Sequence, residues 1–361
     1  MGSESRETKA RYDQLRMALG NATAYYLWPP VWVGGEPTAT GMNMNLNELT
    51  TIVYERQIQS SMSMKVHRDG MFIFDLSSWE RGIFPLDMAL QSQETIQDAV
   101  QAMMQSRVEL LNAHLACLYT AIGRIDGYAL GTMTLSPWNI IDFETFDGQM
   151  KPVSPRSDDL LQRLYMLKTE NDPNYLSGSP ILSGLRIGMR PVISIAAVEE
   201  AFRLFLVKLQ SPNARVLLFV DLYMRACKAY EDYNDSVCLV TAWTLIESLL
   251  QQKWNQYIES NRRQIADGTN TVVINADRRG TLLGRDFTAS IVAEILSLAA
   301  LLPFELYKDI TTVRQARNRW MHSLKSVARK DARLSISVAE RMMTLVEDLD
   351  LHVPVIPHID L

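Results

Sequence analysis

The chain has 361 residues, long enough for two ordinary domains or one large one. Hydrophobic residues make up 47% and charged residues 21%, a globular balance that excludes a disordered tail or a fibrous repeat. A net charge of -5 excludes a globally basic nucleic-acid coat while leaving room for a local basic patch. Cys117, Cys227 and Cys238 stand too far apart for a zinc ribbon or a disulfide framework. No run approaches 18 consecutive apolar residues, and the start, Met1 to Glu7, is charged where a leader would be apolar. These features lead us to expect a soluble, cytoplasmic protein without a membrane partner.

In chain order, residues 4–19 read as a short helix, with Tyr12, Leu15 and Leu19 at helical spacing and Gly20-Asn21 as its stop. Ala24 to Trp28 and Val31 to Val33 then read as strands punctuated by Pro29-Pro30 and Gly34-Gly35. Met62–His67 and Met71–Leu76 flank Arg68-Asp69-Gly70, a hairpin signal. From about 94 to 124 the period turns helical, with Ile96, Val100, Met103, Leu111, Leu115 and Leu118 on one face. Tyr128 to Trp138 returns to turn-broken, β-like text. Between 150 and 190 breakers accumulate (Pro152, Pro155, Pro173, Pro180, Gly184), and a domain boundary is expected there. Helices follow at about 193–209, 212–231, 235–260, 286–301, 303–325 and 335–350, with 261–285 as an irregular connection. The expectation is an α+β chain: an N-terminal mixed domain, 1–190, and an all-α helical bundle, 191–361.

Phosphate loops, dinucleotide fingerprints, zinc-binding pairs and nucleophile elbows are all missing from the sequence. Asp142-Phe143-Glu144 has no third ligand at metal spacing and reads as a solvated acidic loop. No metal or other cofactor is therefore expected. His67 falls in a hairpin, His114 on an apolar-rich helix, and His352 and His358 in a Pro-broken tail, all expected to be structural.

Two charges fall where apolar residues belong. On a wheel of the 303–325 segment with Ile310 at zero, Val313, Ala316, Trp320 and Leu324 form a stripe between about 240° and 320°, and Arg317 falls at about 340°. Arg314, Asn318 and His322 run along the stripe's edge. On 235–260, Val240, Trp243, Leu250, Trp254 and Ile258 form a stripe with Glu247 in its middle. A lone buried charge costs several kcal/mol, so Glu247 and Arg317 are expected to meet between two packed helices. Such a pair is either purely structural or orients Arg317 at the floor of a cleft that His322 lines.

The segment Arg314-Gln315-Ala316-Arg317-Asn318-Arg319-Trp320-Met321-His322 resembles the signature of HEPN-superfamily ribonucleases. That signature is an Arg, commonly followed by a polar residue, then a His after four to six positions. Arg317, Asn318 and His322 match it, and Ala242 to Leu250 resembles the Glu-bearing helix of the same fold. The resemblance covers roughly 193–350. It implies a dimerising helical bundle with paired Arg/His sets at a shared cleft, and metal-independent RNA cleavage in a toxin or anti-phage defence setting. Arg317, His322, Asn318 and Glu247 are then the candidate catalytic residues. Attack of a ribose 2′-OH on its phosphate needs a group that moves protons near neutrality, for which histidine is suited. It also needs a fixed cation for the growing phosphate charge, for which guanidinium is suited.

Charge adds support. Seven basic residues and one acid lie between Arg314 and Arg333, so Arg314, Arg319 and Lys325 are candidate RNA contacts. The bland reading is a solvated helix end, where cations are favourable. Two other readings stay open: a catalytically silent dimerisation module, and a module that binds nucleotides or RNA without cleaving them. Residues 1–190 are expected to sense a trigger, bind a regulatory partner or hold the nuclease off.

Overall fold

The computed structural model describes residues 19–27, 30–38, 46–58, 62–76, 96–146, 149–153, 190–209, 213, 215–266 and 269–356. The expected helix at 4–19 and most of the breaker-rich 150–190 stretch lie outside these residues. The chain divides into two compact units, Met1–Gln210 and Ser211–Leu361, a mixed unit followed by a mostly helical one.

In the first unit, β1 (Ala22–Tyr26) is followed by β2 (Trp32–Val33) and the short α1 (Leu46–Leu49). Then come β3 (Ile52–Ile58), β4 (Met62–His67) and β5 (Met71–Asp75). The long α2 (Ile96–Ala121) continues into a wider turn at Ile122–Asp126 and is followed by β6 (Ile141–Phe146) and β7 (Gln149–Pro152). The unit closes with β8 (Val192–Ile193) and α3 (Ile195–Leu209). Six strands form one antiparallel sheet in the order β3-β4-β5-β1-β6-β7. The Asp69-Gly70 turn joins β4 to β5 as expected, with Gly70 at φ 86°. The β-like text at 128–138 forms no strand; its backbone is held instead by side chains, with Asn112 bonded to both the N–H and the C=O of Leu135.

Both long helices of this unit carry side chains into one aromatic cluster on the sheet. Tyr25 stacks on Phe72 at 5.3 Å between centroids, and Phe205 of α3 meets Phe74 edge-on at 6.1 Å. His114 of α2 stands in their midst, fully buried, its Nδ1 2.8 Å from the Tyr25 hydroxyl. Burial without a counter-charge holds its pKa down at about 3, so the ring is neutral.

A buried ion pair joins α2 to β6. Arg107, with no exposed surface, donates to Asp142 Oδ1 at 3.0 Å and to the carbonyls of Leu19 and Gly20. Gly20, at φ 64°, lets the chain pass this close: a Cβ there would lie 2.0 Å from the Phe143 carbonyl oxygen. The expected solvated acidic loop at 142–144 is therefore a strand whose first acid is buried, although Glu144 is exposed. The expected boundary at 190 also shifts. Helix α3 packs along α2 and contributes Phe205 to the cluster, so the first unit extends to 210.

The second unit contains α4 (Val216–Glu231), α5 (Asp235–Ser260), β9 (Arg263–Ala266), β10 (Thr269–Val272) and α6 (Ala276–Leu282). Then follow α7 (Ala289–Leu298), α8 (Phe304–Ser323) and α9 (Arg329–Glu347). The unit is not all-α: the connection expected to be irregular folds as the β9–β10 hairpin and α6. Trp254 anchors that connection, stacking on Phe287 at 5.6 Å and donating its indole N–H to Leu282 O at 2.9 Å. Helix α5 is the axis of the bundle, packed against α4, α7, α8 and α9.

Candidate active site

Helix α8 begins after Pro303, whose φ suits a helix start, with Glu305 in the first turn where the positive end of the helix dipole favours an acid. Its first half keeps the expected stripe: Leu306, Ile310, Val313 and Ala316 are buried. The last two turns leave the core. Trp320 is half-buried, Met321 is exposed, and Leu324, expected inside the stripe, is 78% exposed. Leu324 stops the helix in a left-handed conformation, φ 52°, its N–H bonded to Trp320 O.

Arg314, Asn318 and His322, four residues apart, form one row about 12 Å long on α8. They wall an open depression of about 550 Å³ together with Gln315, Arg319 and Ser323. Every wall comes from α8. The sequence does not single out Gln315 and Ser323; on the wheel Gln315 falls just beyond His322 and was the available signal, whereas Ser323 falls about 100° from it.

Arg317 is not part of that wall. It is half-buried beside the row, and its Nη1 donates to Asn318 Oδ1 at 3.1 Å. Its Nε is buried without a hydrogen-bond partner among the described residues. The expected partner, Glu247, is exposed, and no ion pair among the described residues joins the two. The reason lies in the breadth of α5's buried face. Cys238, Ala242, Leu245, Ile246 and Leu249 are buried along with Trp243, Leu250 and Trp254, so the core-facing arc exceeds half the helix. The stripe read from the sequence was one margin of that arc, and Glu247, on that margin, is exposed. Glu247 does not hold Arg317.

The basic run is also thinner than its residue count. Arg319 reaches Asp331 at 3.4 Å, a long contact made by an exposed guanidinium and therefore weak. Arg329 is committed more fully, at 2.9 Å from Asp235 Oδ1 and 2.8 Å from Tyr230 O. Arg314, Lys325, Lys330 and Arg333 have no ion pair among the described residues and supply the outward positive charge.

Among the described residues, no group of three or more His, Cys, Asp or Glu is placed to hold a metal ion. No helix among them is long and apolar enough to cross a membrane. What the depression offers an incoming group is an imidazole, two amides, a hydroxyl and two guanidinia, a set suited to an anionic ligand with a transferable proton. No family model, curated protein or solved structure matches the chain.

Proposed function

We propose that the chain is an endoribonuclease of the HEPN type, cutting RNA by 2′-OH attack without a metal, with no other cofactor. The observation that carries this reading is the shared depression: His322 and Asn318 stand one turn apart on its wall, flanked by the cations Arg314 and Arg319. In the reaction, His322 takes the 2′-OH proton, the 2′-oxygen bonds to phosphorus, and the phosphorus–5′-oxygen bond breaks. The leaving 5′-oxygen takes up a proton from the imidazolium or from water. Arg317, half-buried beside the row and held through Nη1 by Asn318, brings a guanidinium charge close to the phosphate.

A depression walled by one helix does not surround a phosphate, and a second copy of α8 related by a two-fold axis supplies the opposing wall. The exposed Met321 and Leu324 give that pairing apolar surface. We place the activity in toxicity or anti-phage defence in the cytoplasm, with the first unit as the trigger-sensing or partner-binding part.

The same apolar end of α8 favours a second reading, a silent module that pairs or binds RNA without cutting it. Incubating the full chain with mixed RNA and EDTA decides between the two. The nuclease reading expects new fragments ending in 2′,3′-cyclic phosphate. Intact RNA beside a dimer seen by light scattering would leave the module.

A further inference from the structure

In the same unit as the depression, the turn between α4 and α5 carries an aromatic ring out to the surface. Tyr233 is 56% exposed, though its neighbour Tyr230 is buried. Its backbone is left-handed, φ 58°, an uncommon conformation for a residue with a large side chain. Two main-chain bonds lock the turn, Tyr233 N–H to Tyr230 O at 3.1 Å and Asn234 N–H to Ala229 O at 2.9 Å. Asn234 then caps α5 through Val237 N–H. The ring is fixed in place by a cation as well. The Arg329 guanidinium lies 4.3 Å from the Tyr233 ring centroid and 3.7 Å from that of Tyr230, while Asp235 and the Tyr230 carbonyl hold its N–H groups.

Helix α9 links this cluster to the candidate site through its first turn. Arg329 and Asp331 share the first turn of α9, and Asp331 is the residue that Arg319, on the wall of the depression, reaches. Lys325, just past the end of α8, and Lys330, in the first turn of α9, are both exposed. Phosphate-seeking cations alternating with a rigid exposed ring are the pattern by which single strands are bound, through backbone charge and base stacking together. A duplex keeps its bases stacked inside and offers such a ring nothing.

We infer that Tyr233, backed by Arg329, is a stacking platform for an unpaired base of a single-stranded RNA whose backbone crosses the α8 depression. The inference rests on the nuclease reading for the identity of its ligand, and its test does not depend on cleavage. In a His322→Ala background, a short single-stranded RNA carrying 2-aminopurine is titrated while fluorescence and anisotropy are read. Fluorescence quenching on binding is expected. Tyr233→Ala should abolish the quenching and weaken binding about tenfold, with Tyr233→Phe and Tyr233→Trp restoring both and a base-paired version of the RNA binding without quenching. Tyr233→Leu, which keeps apolar bulk without a π-face, serves if the alanine variant melts early. Unchanged affinity and quenching in Tyr233→Ala or Tyr233→Leu would overturn the platform, as would equal loss in Tyr233→Phe. Tyr233-dependent quenching by a protein that never cuts RNA would refute the nuclease reading alone. Cutting with wild-type KM after Tyr233→Ala would refute the platform alone, and absence of any RNA binding would overturn both.

Discussion

Lowering the pH from 7 to 5 should destabilise the first unit by about 2 kcal/mol through His114 alone. The folded imidazole is neutral, its pKa held at about 3 by burial among Tyr25, Phe72, Phe74 and Phe205. In the unfolded chain a histidine titrates near 6.5. Above 6.5 both states are neutral and the stability is fully present. Below 6.5 the unfolded chain binds a proton that the folded chain refuses, so stability falls by about 1.4 kcal/mol per pH unit until the folded pKa is reached. The limiting loss is about 5 kcal/mol near pH 3, and the share lost by pH 5 is about 2 kcal/mol. Urea unfolding followed by near-UV circular dichroism at several pH values, on the parent and on His114→Phe, reads this directly. Phe fills the aromatic site but leaves the Tyr25 hydroxyl without its partner, a penalty of about 1–3 kcal/mol that does not vary over this range. The difference between the two stabilities should therefore shrink, or change sign, as the pH falls. Parallel pH profiles would show that His114 is charged or solvated in the folded unit and would refute the reasoning.

Asp142→Ala removes the carboxylate that Arg107 meets in the core and should lower the stability of the first unit by about 3–5 kcal/mol, measured by the same urea titration. His322→Ala should reduce RNA cleavage at least a hundredfold while leaving the melting temperature within about two degrees, because the ring is exposed; an equally active variant would remove His322 from the mechanism. Glu247→Ala should change stability by no more than about 0.5 kcal/mol, as for other exposed positions, and a much larger loss in calorimetry would restore a buried role for it.

The local rules carried over best where a single element decides its own shape. The Asp69-Gly70 turn needs only flanking β-branched and aromatic residues, and the helices at 235–260 and 303–325 announce themselves by their period. What failed were the inferences about what faces what. A wheel assumes one buried stripe, and α5, surrounded by four helices, has a buried arc too broad for that assumption. Arg107 and Asp142 lie 35 residues apart, and nothing near either one signals that β6 enters the sheet beside β1. The α3 segment looks like the start of the helical region, yet its Phe205 belongs to the aromatic cluster of the sheet. For the site, the row Arg314–Asn318–His322 was legible because helix geometry alone makes it. The surroundings of Arg317 were not, because whether Glu247 faces it depended on a neighbouring helix, and its partner is Asn318 on α8 itself.

The row's third member rides on the final turn of α8, where Arg319, Met321, His322 and Ser323 are exposed and Leu324 ends the helix in a left-handed twist. A turn with so little buried surface opens at a free energy well below that of the bundle. Opening carries His322 away from Arg314, which stays on a buried stretch of helix, so the row exists only while the turn is wound. Heating should thus disperse the row well before the bundle melts, and a polyanion touching both ends of it would bind the wound form alone. By mass action such a ligand winds the turn it needs, and so builds the surface that holds it.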